Sequence, residues 1–413
     1  MKVTNVEIWD ISTELAPNWR TWHPVIMDIS TELAPNWRTW HPVIIRVSTD
    51  EGISGLGEVG LAYGTGHSGG AGYVKNLAED FLIGADPMKI EKIWDTMFKN
   101  TFWARGGGPV VFGGMSAIDI ACCDIKGKAL GQPIYQLLGG KTNDSLRTYA
   151  SQLQFGWDKD RFFRLAKPEE YAEAARIAVA DGYDAVKIDP ATLDENGRSS
   201  HDVNKILSSK AVRTIYDRIE AVREAVGEDV DILIELHSAP SATSAIQIGH
   251  ALEEFNCMFF EEGTHYLNAA LQEKVSQSVS IPMAAGERLY TRWGYRQYFE
   301  RQSLDMIQPD LCLVGGITEG KKVCDYAHIY DITVQMHVCG SPISTAAALQ
   351  LEAVIPNFQI HEHHVNNIKK ANRELCVQDY QPEQGRYAIP DLPGLGLELD
   401  EQVMSRWERV VVK

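Results

Sequence analysis

Three glutamates follow three short apolar runs at a constant separation. Glu235 ends "DILIE", Glu261 follows "MFF" and Glu287 follows "MAAG", with separations of 261 − 235 = 26 and 287 − 261 = 26. This spacing is typical of successive βα units, whose strand ends converge on one face of a barrel. Three converging carboxylates repel each other unless a cation neutralises them, and oxygen ligands suit Mg²⁺. One such glutamate would more often be solvated or paired with lysine, but the repeated spacing favours a metal site.

Two histidines lie at the ends of predicted strands near these glutamates. His237 is two residues past Glu235, so on a continuing strand it would point to the same side. His337 follows "ITVQM", and Asp310 ends the preceding run 337 − 310 = 27 residues earlier. An aspartate on the neighbouring strand fixes the tautomer of an imidazole and raises its basicity. A lone histidine is more often structural, but His337 with Asp310 is a reasonable general base.

The elements that must position these residues repeat after residue 140. Short runs rich in Val and Ile alternate with amphipathic helical segments, which predicts βα units and a parallel sheet. Eight such units predict an α/β fold, a closed (β/α)8-type barrel. The predicted strands are residues 146–153, 184–188, 230–236, 256–260, 281–286, 304–308, 332–336 and 357–360.

The first 140 residues follow a different pattern. Residues 2–9 alternate like a strand, residues 43–60 read as a hairpin turning at 50–52, and residues 74–138 have helical periodicity. We therefore expect an N-terminal α+β capping domain at 1–140, the barrel at 141–380, and a C-terminal segment at 381–413. The late sequence "DLPGLGLELDE" predicts that this last segment returns to the capping domain.

The composition narrows the class of protein. The 413 residues carry a net charge of −17, which argues against nucleic-acid binding, since that needs a basic face. The seven cysteines contain no CxxC pair, which favours reduced, mostly buried thiols. We find no signal peptide and no run of 18 apolar residues, so we expect a cytoplasmic protein without membrane contact.

Motifs in both predicted domains carry a resemblance to a known family. They include the hairpin "TDEGISGLGE", the segment "MSAIDIACCDIKGKALGQPIYQLLGG", the three glutamates, the Asp310–His337 pair and "PGLGLELDE". With these motifs the chain resembles the enolase superfamily, in its mandelate racemase-like branch. Glu235 followed by His237, "AAGERLYTR", "QPDLCLVGGITE" and Glu362 in "IHEHH" are most similar to galactonate dehydratase and its acid-sugar relatives.

Two positions depart from the pattern of that branch. Its ligand on the third strand is usually Asp, whereas this chain has Glu235, whose extra methylene could move the metal. Racemases of the branch carry Lys-x-Lys on the second strand, whereas this chain has Lys187 and then Asp189. The second lysine is a base in two-base racemisation, so its absence favours dehydration.

The resemblance implies removal of the proton α to a carboxylate. Mg²⁺ held by the three glutamates would neutralise the charge that develops on the substrate. His337 would take the C2 proton and His237 would protonate the departing 3-hydroxyl, which gives a 2-keto-3-deoxy acid. The further substrate contacts that we expect are Lys187, Asp189, Arg288, Glu362 and Trp40.

An eighteen-residue segment is present twice, at residues 10–27 and 28–45, and the copies differ only at Met27 and Ile45. Two copies are too few for a solenoid, so we interpret them as a recent duplication or a sequencing artefact. The second copy must lead into the hairpin strand, and the first then extends a loop that reaches over the barrel mouth in the resembled family. The residues expected to compete for one substrate-facing position are Trp19, Arg20, Trp22 and His23 with their copies Trp37, Arg38, Trp40 and His41.

Three segments are weaker signals. "GTGHSGGAG" (64–72) is interpreted as a mobile loop, because its glycine spacing does not fit a phosphate site. "HEHH" (361–364) is interpreted as surface histidines near the mouth, since consecutive residues on an extended segment point in opposite directions. The long polar connection 189–209 is either a lid, binding loop or interface element, or a solvated surface loop.

The sequence thus predicts a Mg²⁺-dependent dehydratase of a sugar acid such as galactonate, gluconate or mannonate, forming a homo-oligomer by resemblance. A racemase or epimerase of the same fold is one alternative, and the missing second lysine counts against it. A non-catalytic sugar-acid binding protein is the other. The complete set of acidic residues and histidines counts against that alternative, because a binder needs neither an acid nor a base.

Overall fold

A four-stranded antiparallel sheet lies at the N-terminal end of the fold. The computed structural model describes residues 1–11, 40–64, 66–199 and 202–413, with strands β1 (Val3–Asp10), β2 (Val43–Thr49) and β3 (Ser54–Val59). The last strand of the chain, β13 (Arg409–Val412), pairs with β1, so the order is β13-β1-β2-β3. Strand β2 begins within the second copy of the duplicated segment, as predicted. Residues 12–39 lie outside the described part of the chain.

Helices follow this sheet in the chain, and the first and third of them pack against it. They are α1 (His67–Leu77), α2 (Ile90–Asn100), α3 (Gly108–Leu130) and α4 (Ile134–Leu137), with a π-helical turn at Ala78–Leu82 and a 3₁₀ turn at Ala104–Gly106. A Cβ atom at Gly57 would lie 1.9 Å from the carbonyl oxygen of Ala117, so glycine permits the close contact of β3 with α3. A mobile loop was predicted at residues 64–72. This prediction is wrong from His67 onward, because α1 begins there.

Helix α3 is long and apolar enough to cross a membrane, by length and composition alone. Its most apolar window is 83% buried inside the protein. The helix packs between the N-terminal sheet and α10 (Gly316–His328). It is therefore a core helix that joins the two parts of the fold.

Eight parallel strands form the barrel, and seven of them overlap the predicted runs. They are β4 (Ser145–Ser151), β5 (Ala185–Ile188), β6 (Asp231–Glu235), β7 (Phe259–Glu261), β8 (Met283–Ala285), β9 (Met306–Ile307), β10 (Thr333–Val334) and β11 (His361–His364). Neighbours in the chain are neighbours in the sheet, and β11 lies beside β4. Between β10 and β11, Val334 donates to the carbonyl of Asn357 and accepts from the N–H of Gln359, which closes the ring.

Helices and short elements surround the barrel. They are α5 (Pro168–Ala180), α6 (Ser209–Val226), α7 (Ala242–Leu252), α8 (Ala269–Ser276), α9 (Thr291–Glu300), α10, α11 (Pro342–Glu352), α12 (Lys370–Arg373), α13 (Glu401–Met404) and β12 (Arg386–Ala388). Strand β12 pairs antiparallel with β4. The domain limits at 140 and 380 stay a prediction.

The eighth strand lies a few residues later than predicted, and this changes the interpretation of "HEHH". All four residues of β11 are buried, so the expectation of surface histidines is wrong. His361 Nδ1 lies 2.5 Å from Glu352, and His363 Nδ1 lies 2.5 Å from the hydroxyl of Tyr183. The alternation misled because both faces of a barrel strand are covered, one by the barrel interior and the other by helices.

The connection after β5 is held by a buried arginine. The guanidinium of Arg218, on α6, donates to the carbonyl oxygens of Pro190 at 2.8 Å and Leu193 at 2.6 Å. It also donates to the carbonyls of Asp194 and Ala166. The first part of the predicted 189–209 loop is therefore packed against α6, and residues 200–201 lie outside the described residues.

Candidate active site

The three predicted metal ligands lie at the ends of three neighbouring barrel strands. Glu235 and Glu261 are the last residues of β6 and β7, and Glu287 lies two residues past β8. Their exposed fractions are 1%, 0% and 8%. One carboxylate oxygen from each lies within 4.8 Å of the others. The constant sequence spacing therefore does bring three buried carboxylates together at the barrel mouth.

The carboxylate triad, Glu235, Glu261 and Glu287, has oxygens available for a cation. Among the described residues, the buried Oε1 of Glu261 has no hydrogen-bond partner, and the buried Oε2 of Glu235 has only an ion pair with Lys187 at 3.4 Å. Burial, and after it repulsion from Glu235, raises the pKa of Glu261 well above its ordinary value. Buried carboxylate oxygens without partners are costly. The donor set therefore fits a divalent cation that prefers oxygen ligands.

Lys187, on β5, carries a positive charge next to the triad. Its Nζ lies 2.8 Å from Oε2 of Glu261, 3.0 Å from Oε1 of Glu362 and 3.4 Å from Oε2 of Glu235. Burial opposes protonation, but these carboxylates hold the pKa of Lys187 well above its ordinary value. One ammonium group is therefore shared among three buried carboxylates.

Glu362 lies within β11 rather than after it. It accepts hydrogen bonds from Ser151 Oγ at 2.6 Å and from the N–H of Val338 at 2.9 Å, in addition to its ion pair with Lys187. Burial opposes ionisation, but Lys187 lowers the pKa of Glu362 below its ordinary value. Glu362 is therefore an ionised group that positions Lys187.

Arg288, which was expected as a substrate contact, pairs with two carboxylates. Its Nη1 contacts both Glu262 and Glu287. Burial opposes ionisation of Glu287, but Arg288 and then His337 lower its pKa to about 2. Burial and the charge of Glu287 raise the pKa of Glu262 to about 7. Glu262 was not predicted, although the doubled acid in "FFEEG" was an available signal.

The predicted Asp310–His337 pair is present beside the triad. Nδ1 of His337 lies 2.8 Å from Oδ2 of Asp310, whose Oδ1 accepts from the N–H of Cys312 at 2.7 Å. The other ring nitrogen, Nε2, lies 3.1 Å from Oε2 of Glu287. Burial opposes protonation, but Glu287 and Asp310 raise the pKa of His337 to about 10.

His237 reaches the same place by a different route from the one expected. Strand β6 ends at Glu235, and His237 has φ 49°, so it lies in a left-handed turn and not on a continuing strand. Its N–H donates to Oε1 of Glu235 at 2.6 Å, and its Nδ1 lies 2.6 Å from Oδ2 of Asp189. Asp189 is 0% exposed. Asp189 therefore contacts His237. The prediction that it would contact the substrate is wrong, because its side chain is buried.

The capping part contributes other residues near the mouth. Trp40 is 1% exposed and lies in the core at the base of the loop, so its side chain does not have the substrate-facing surface that we expected. His41 stacks on His67 with ring centroids 4.5 Å apart. Burial, and then the nearby Cys339, raises the pKa of Tyr63 to about 12. The other six residues of the duplicated loop named above lie outside the described residues.

Cys339, two residues past His337, was not predicted as part of this region. Its Sγ lies 3.5 Å from Nε2 of His364, whose Nδ1 accepts from the N–H of Asn366 at 3.0 Å. It is the one cysteine of the seven that is not buried. Only its position just after His337 could have indicated this placement from the sequence.

Comparisons with known proteins agree with this geometry. The family described as the N-terminal domain of mandelate racemase and muconate lactonizing enzyme matches residues 11–139, and the enolase C-terminal domain-like family matches residues 170–403. D-xylonate dehydratase of Haloferax volcanii is 34% identical over 353 residues, which cover 85% of this chain and 81% of that protein. D-galactonate dehydratase of Ralstonia nicotianae is 32% identical over 365 residues, covering 87% and 89%.

A solved structure extends this similarity to the whole fold. The crystal structure of a member of the enolase superfamily from Salmonella Typhimurium is 48% identical, covers 100% of both chains and superposes with a TM-score of 0.92. The chain therefore belongs to the enolase superfamily, in its mandelate racemase-like branch, and is a lyase of the dehydratase type.

Proposed function

We propose that the protein is a Mg²⁺-dependent dehydratase of a sugar acid, an aldonate such as galactonate, gluconate or mannonate. The reaction removes the C2 proton and the 3-hydroxyl and gives a 2-keto-3-deoxy acid. The observation that carries the proposal is the buried triad with an aspartate-bound imidazole, His337, beside it. The relatives named D-xylonate and D-galactonate dehydratase support a sugar acid as the substrate class.

Glu235, Glu261 and Glu287 would hold the cation. When bound, a divalent cation would neutralise the negative charge that develops on the substrate carboxylate as the C2 proton leaves. Mg²⁺ is the ion that we propose, because an all-oxygen donor set suits a hard cation that also binds water or substrate oxygens.

His337 would be the base at C2. Asp310 accepts the proton on Nδ1, so Nε2 is the nitrogen beside the triad. The ring acts as a base in its neutral form, with its single proton on Nδ1. Nε2, which lies 3.1 Å from Oε2 of Glu287, is then the nitrogen that would accept the C2 proton. A well-placed general base contributes roughly 10²–10⁴-fold to the rate.

His237 would be the acid for the leaving group. The electron pair of the C2–H bond forms the C2–C3 double bond of an enol, and the C3–O bond breaks with its pair on oxygen. A proton from His237 completes the departing water, and the enol tautomerises to the 2-keto acid. The side chain of His237 is 31% exposed, which leaves it accessible to a ligand.

Lys187 and Arg288 would bind the substrate as cations. Lys187 is held by Glu362 and would place its charge close to the substrate carboxylate. Arg288 is fixed by Glu262 and Glu287, and its side chain remains 32% exposed, which leaves part of it for hydroxyl groups further along the sugar chain.

An epimerase is the second candidate, and one observation favours it. Imidazoles paired with aspartates, His237 and His337, lie on two sides of the triad, and epimerisation at C2 needs a proton-transfer group on each face of the carbon. Exchange of the C2 proton with deuterium from D₂O, without loss of water, would favour this candidate.

The test is an assay of the purified protein with Mg²⁺ and a panel of four- to six-carbon sugar acids. We expect one acid or a few to yield a 2-keto-3-deoxy product, and EDTA to stop its formation. His337→Asn and His237→Asn should each lower turnover. No 2-keto-3-deoxy product from any acid of the panel would contradict the proposal.

The same proposal includes a cytoplasmic location and assembly into a homo-oligomer. The seven cysteines are free thiols, six of them buried, as a reducing cytoplasm favours. A homo-oligomer stays a prediction that the mass of the protein in solution would test.

A further inference from the structure

The barrel mouth contains two aspartate–histidine pairs that are built in the same way. Asp189 and Asp310 each lie just after a barrel strand, and each uses one oxygen to accept the N–H two residues further along, at 2.9 Å and 2.7 Å. The other oxygen lies 2.6 Å from Nδ1 of His237 in the first pair and 2.8 Å from Nδ1 of His337 in the second. In each pair, the histidine follows the next strand of the barrel.

The two pairs lie on opposite sides of the ring. The first connects β5 and β6, the second and third strands of the barrel, and the other connects β9 and β10, the sixth and seventh. Two strands lie between the pairs on each side of the ring of eight, β7 and β8 on one side and β11 and β4 on the other. An imidazole at each place gives the mouth one proton-transfer group on either side.

Asp189 has no capacity left for a substrate. Its Oδ1 accepts from the N–H groups of Ala191 at 2.9 Å and Thr192 at 2.8 Å, and its Oδ2 accepts from Thr192 Oγ1 and His237 Nδ1. It is fully buried, and Arg218 holds the carbonyls of the loop that follows it. A carboxylate fixed in this way has one remaining task, which is to orient the imidazole.

A second contact assigns the proton on that imidazole. Nε2 of Gln152 lies 3.3 Å from Nε2 of His237, and Oε1 of Gln152 accepts from Gln154. The Gln152 amide therefore donates, and Nε2 of His237 accepts. Once the ring has given its Nε2 proton to the leaving group, its remaining proton lies on Nδ1, where Asp189 accepts it.

We infer that Asp189 is a positioning residue: it holds the Nδ1 proton of His237, so that Nε2 carries the second proton of the imidazolium to the leaving group of the substrate. This inference rests on the proposed dehydration. It assigns the Asp189 position, where racemases of the branch have a second lysine, to the departure of the 3-hydroxyl and not to the C2 proton.

A change of leaving group tests this assignment. Fluoride leaves with the electron pair of the C3–F bond and needs no proton, while His337 still takes the C2 proton and the same 2-keto-3-deoxy acid forms. With the acid identified in the panel, we expect Asp189→Asn to lower kcat by about 10²-fold or more and to change KM little. With the 3-deoxy-3-fluoro analogue, the variant should return to within about tenfold of the wild type.

Two variants serve as matched controls. Asp310→Asn affects the base, His337, so its kcat should be low with both leaving groups. Asp194→Asn lies in the same loop as Asp189, and its carboxylate accepts only N–H groups of that loop, so it should behave like the wild type. Equal losses with both leaving groups in Asp189→Asn would overturn the inference.

Proton NMR gives a readout that does not depend on turnover. A short hydrogen bond between imidazole Nδ1 and a carboxylate gives a proton signal far downfield. Asp189→Asn should remove one such signal and Asp310→Asn another, while the signal of His361 with Glu352 should remain in both variants. If Asp189→Asn does not fold, His237→Asn should remove the same signal and show the same recovery with fluoride.

These readouts separate the inference from the proposed function. A wild type that converts no sugar acid but loses one signal in Asp189→Asn would contradict dehydration and leave the pair established. If Asp189→Asn keeps every downfield signal of the wild type, the positioning role is overturned, whatever the activity.

Discussion

Two groups of buried carboxylates in this protein have opposite surroundings. Glu58, on β3, is 0% exposed, and its oxygens accept from the N–H of Ser341 at 2.9 Å, from Ser341 Oγ at 2.6 Å and from the N–H of Ser344 at 3.2 Å. These donors belong to the N-terminus of α11, where a negative charge is favourable. In the triad, Oε1 of Glu261 has no such donor among the described residues.

The difference shows that burial alone does not make a carboxylate functional. Glu58 is satisfied by the protein itself and joins the N-terminal sheet to the segment that follows His337. The triad keeps a buried carboxylate oxygen without a donor, although Lys187 and Arg288 are present. Glu58 is therefore part of the scaffold, whereas the triad requires a ligand.

Removing one ligand of the triad should have the largest effect. In Glu261→Gln the amide keeps the size of the side chain but loses the charge that a cation needs. We expect kcat/KM to fall by about 10³-fold, roughly 4 kcal/mol of transition-state stabilisation, in the assay of 2-keto-3-deoxy acid. The exposed Glu254→Gln is the control. Full activity of Glu261→Gln with Mg²⁺ would remove the triad from the reaction.

Mg²⁺ should stabilise the fold through the same site. At a hundred times its Kd, a ligand that binds only the folded state adds about 2.7 kcal/mol to the free energy of unfolding. Urea unfolding with Mg²⁺ and with EDTA measures this difference. Glu58→Gln should retain the effect and Glu261→Gln should lose it, so equal responses of the two variants would abolish the contrast between the sites.

Glu58→Gln should lower stability without changing the chemistry. Its amide N–H₂ would meet donors at the start of α11, and an unmet buried donor costs about 1–3 kcal/mol. Urea unfolding should show this loss, while Ser341→Ala should lose less because the backbone donors remain. A variant as stable as the wild type would mean that Glu58 is not part of the scaffold.

Glu58 should also make stability depend on pH. Burial, opposed by the hydrogen bonds from Ser341 and Ser344, raises its pKa from 4.5 to about 7. A raised pKa in the folded state gives stability that is complete below pH 4.5 and is lost as pH rises through about 7. The difference in unfolding free energy between the wild type and Glu58→Gln should therefore shrink from pH 5 to pH 8. A constant difference would contradict the raised pKa.

Deleting residues 10–27 should have the smallest effect on either site. The deletion joins Trp9 to Asp28, which restores the sequence "WDISTELAPNW" on the way into β2. We expect the same urea midpoint and the same Mg²⁺ response as the full chain. A variant that does not fold would show that the first copy is needed by the scaffold.

The regular parts of the site could be predicted from the sequence. The triad and Asp310–His337 follow strands one βα unit apart, so a separation of 26 or 27 residues indicates convergence. The pair Asp189–His237 has the same construction, but its separation is 237 − 189 = 48, because the long connection 189–209 lies between them. The insertion hides the equivalence, and Asp189 was therefore assigned to the substrate.

Other differences arise where local pattern and tertiary packing diverge. His237 was expected on a strand, but the strand ends at Glu235 and a left-handed turn carries the ring. Alternation in "HEHH" indicated exposure, yet a barrel strand is covered on both faces. Trp40 belongs to a loop by sequence, whereas its position beside β2 places it in the core.

The most direct measurement is anomalous diffraction from crystals grown with Mn²⁺, which replaces Mg²⁺ in oxygen sites. We predict one anomalous peak that contacts an oxygen of Glu235, of Glu261 and of Glu287, with Lys187 still bound to Glu362, and no peak there in Glu261→Gln. Wild-type crystals without a peak at the triad, or an equal peak in Glu261→Gln, would contradict the assignment of this cluster as a cation site.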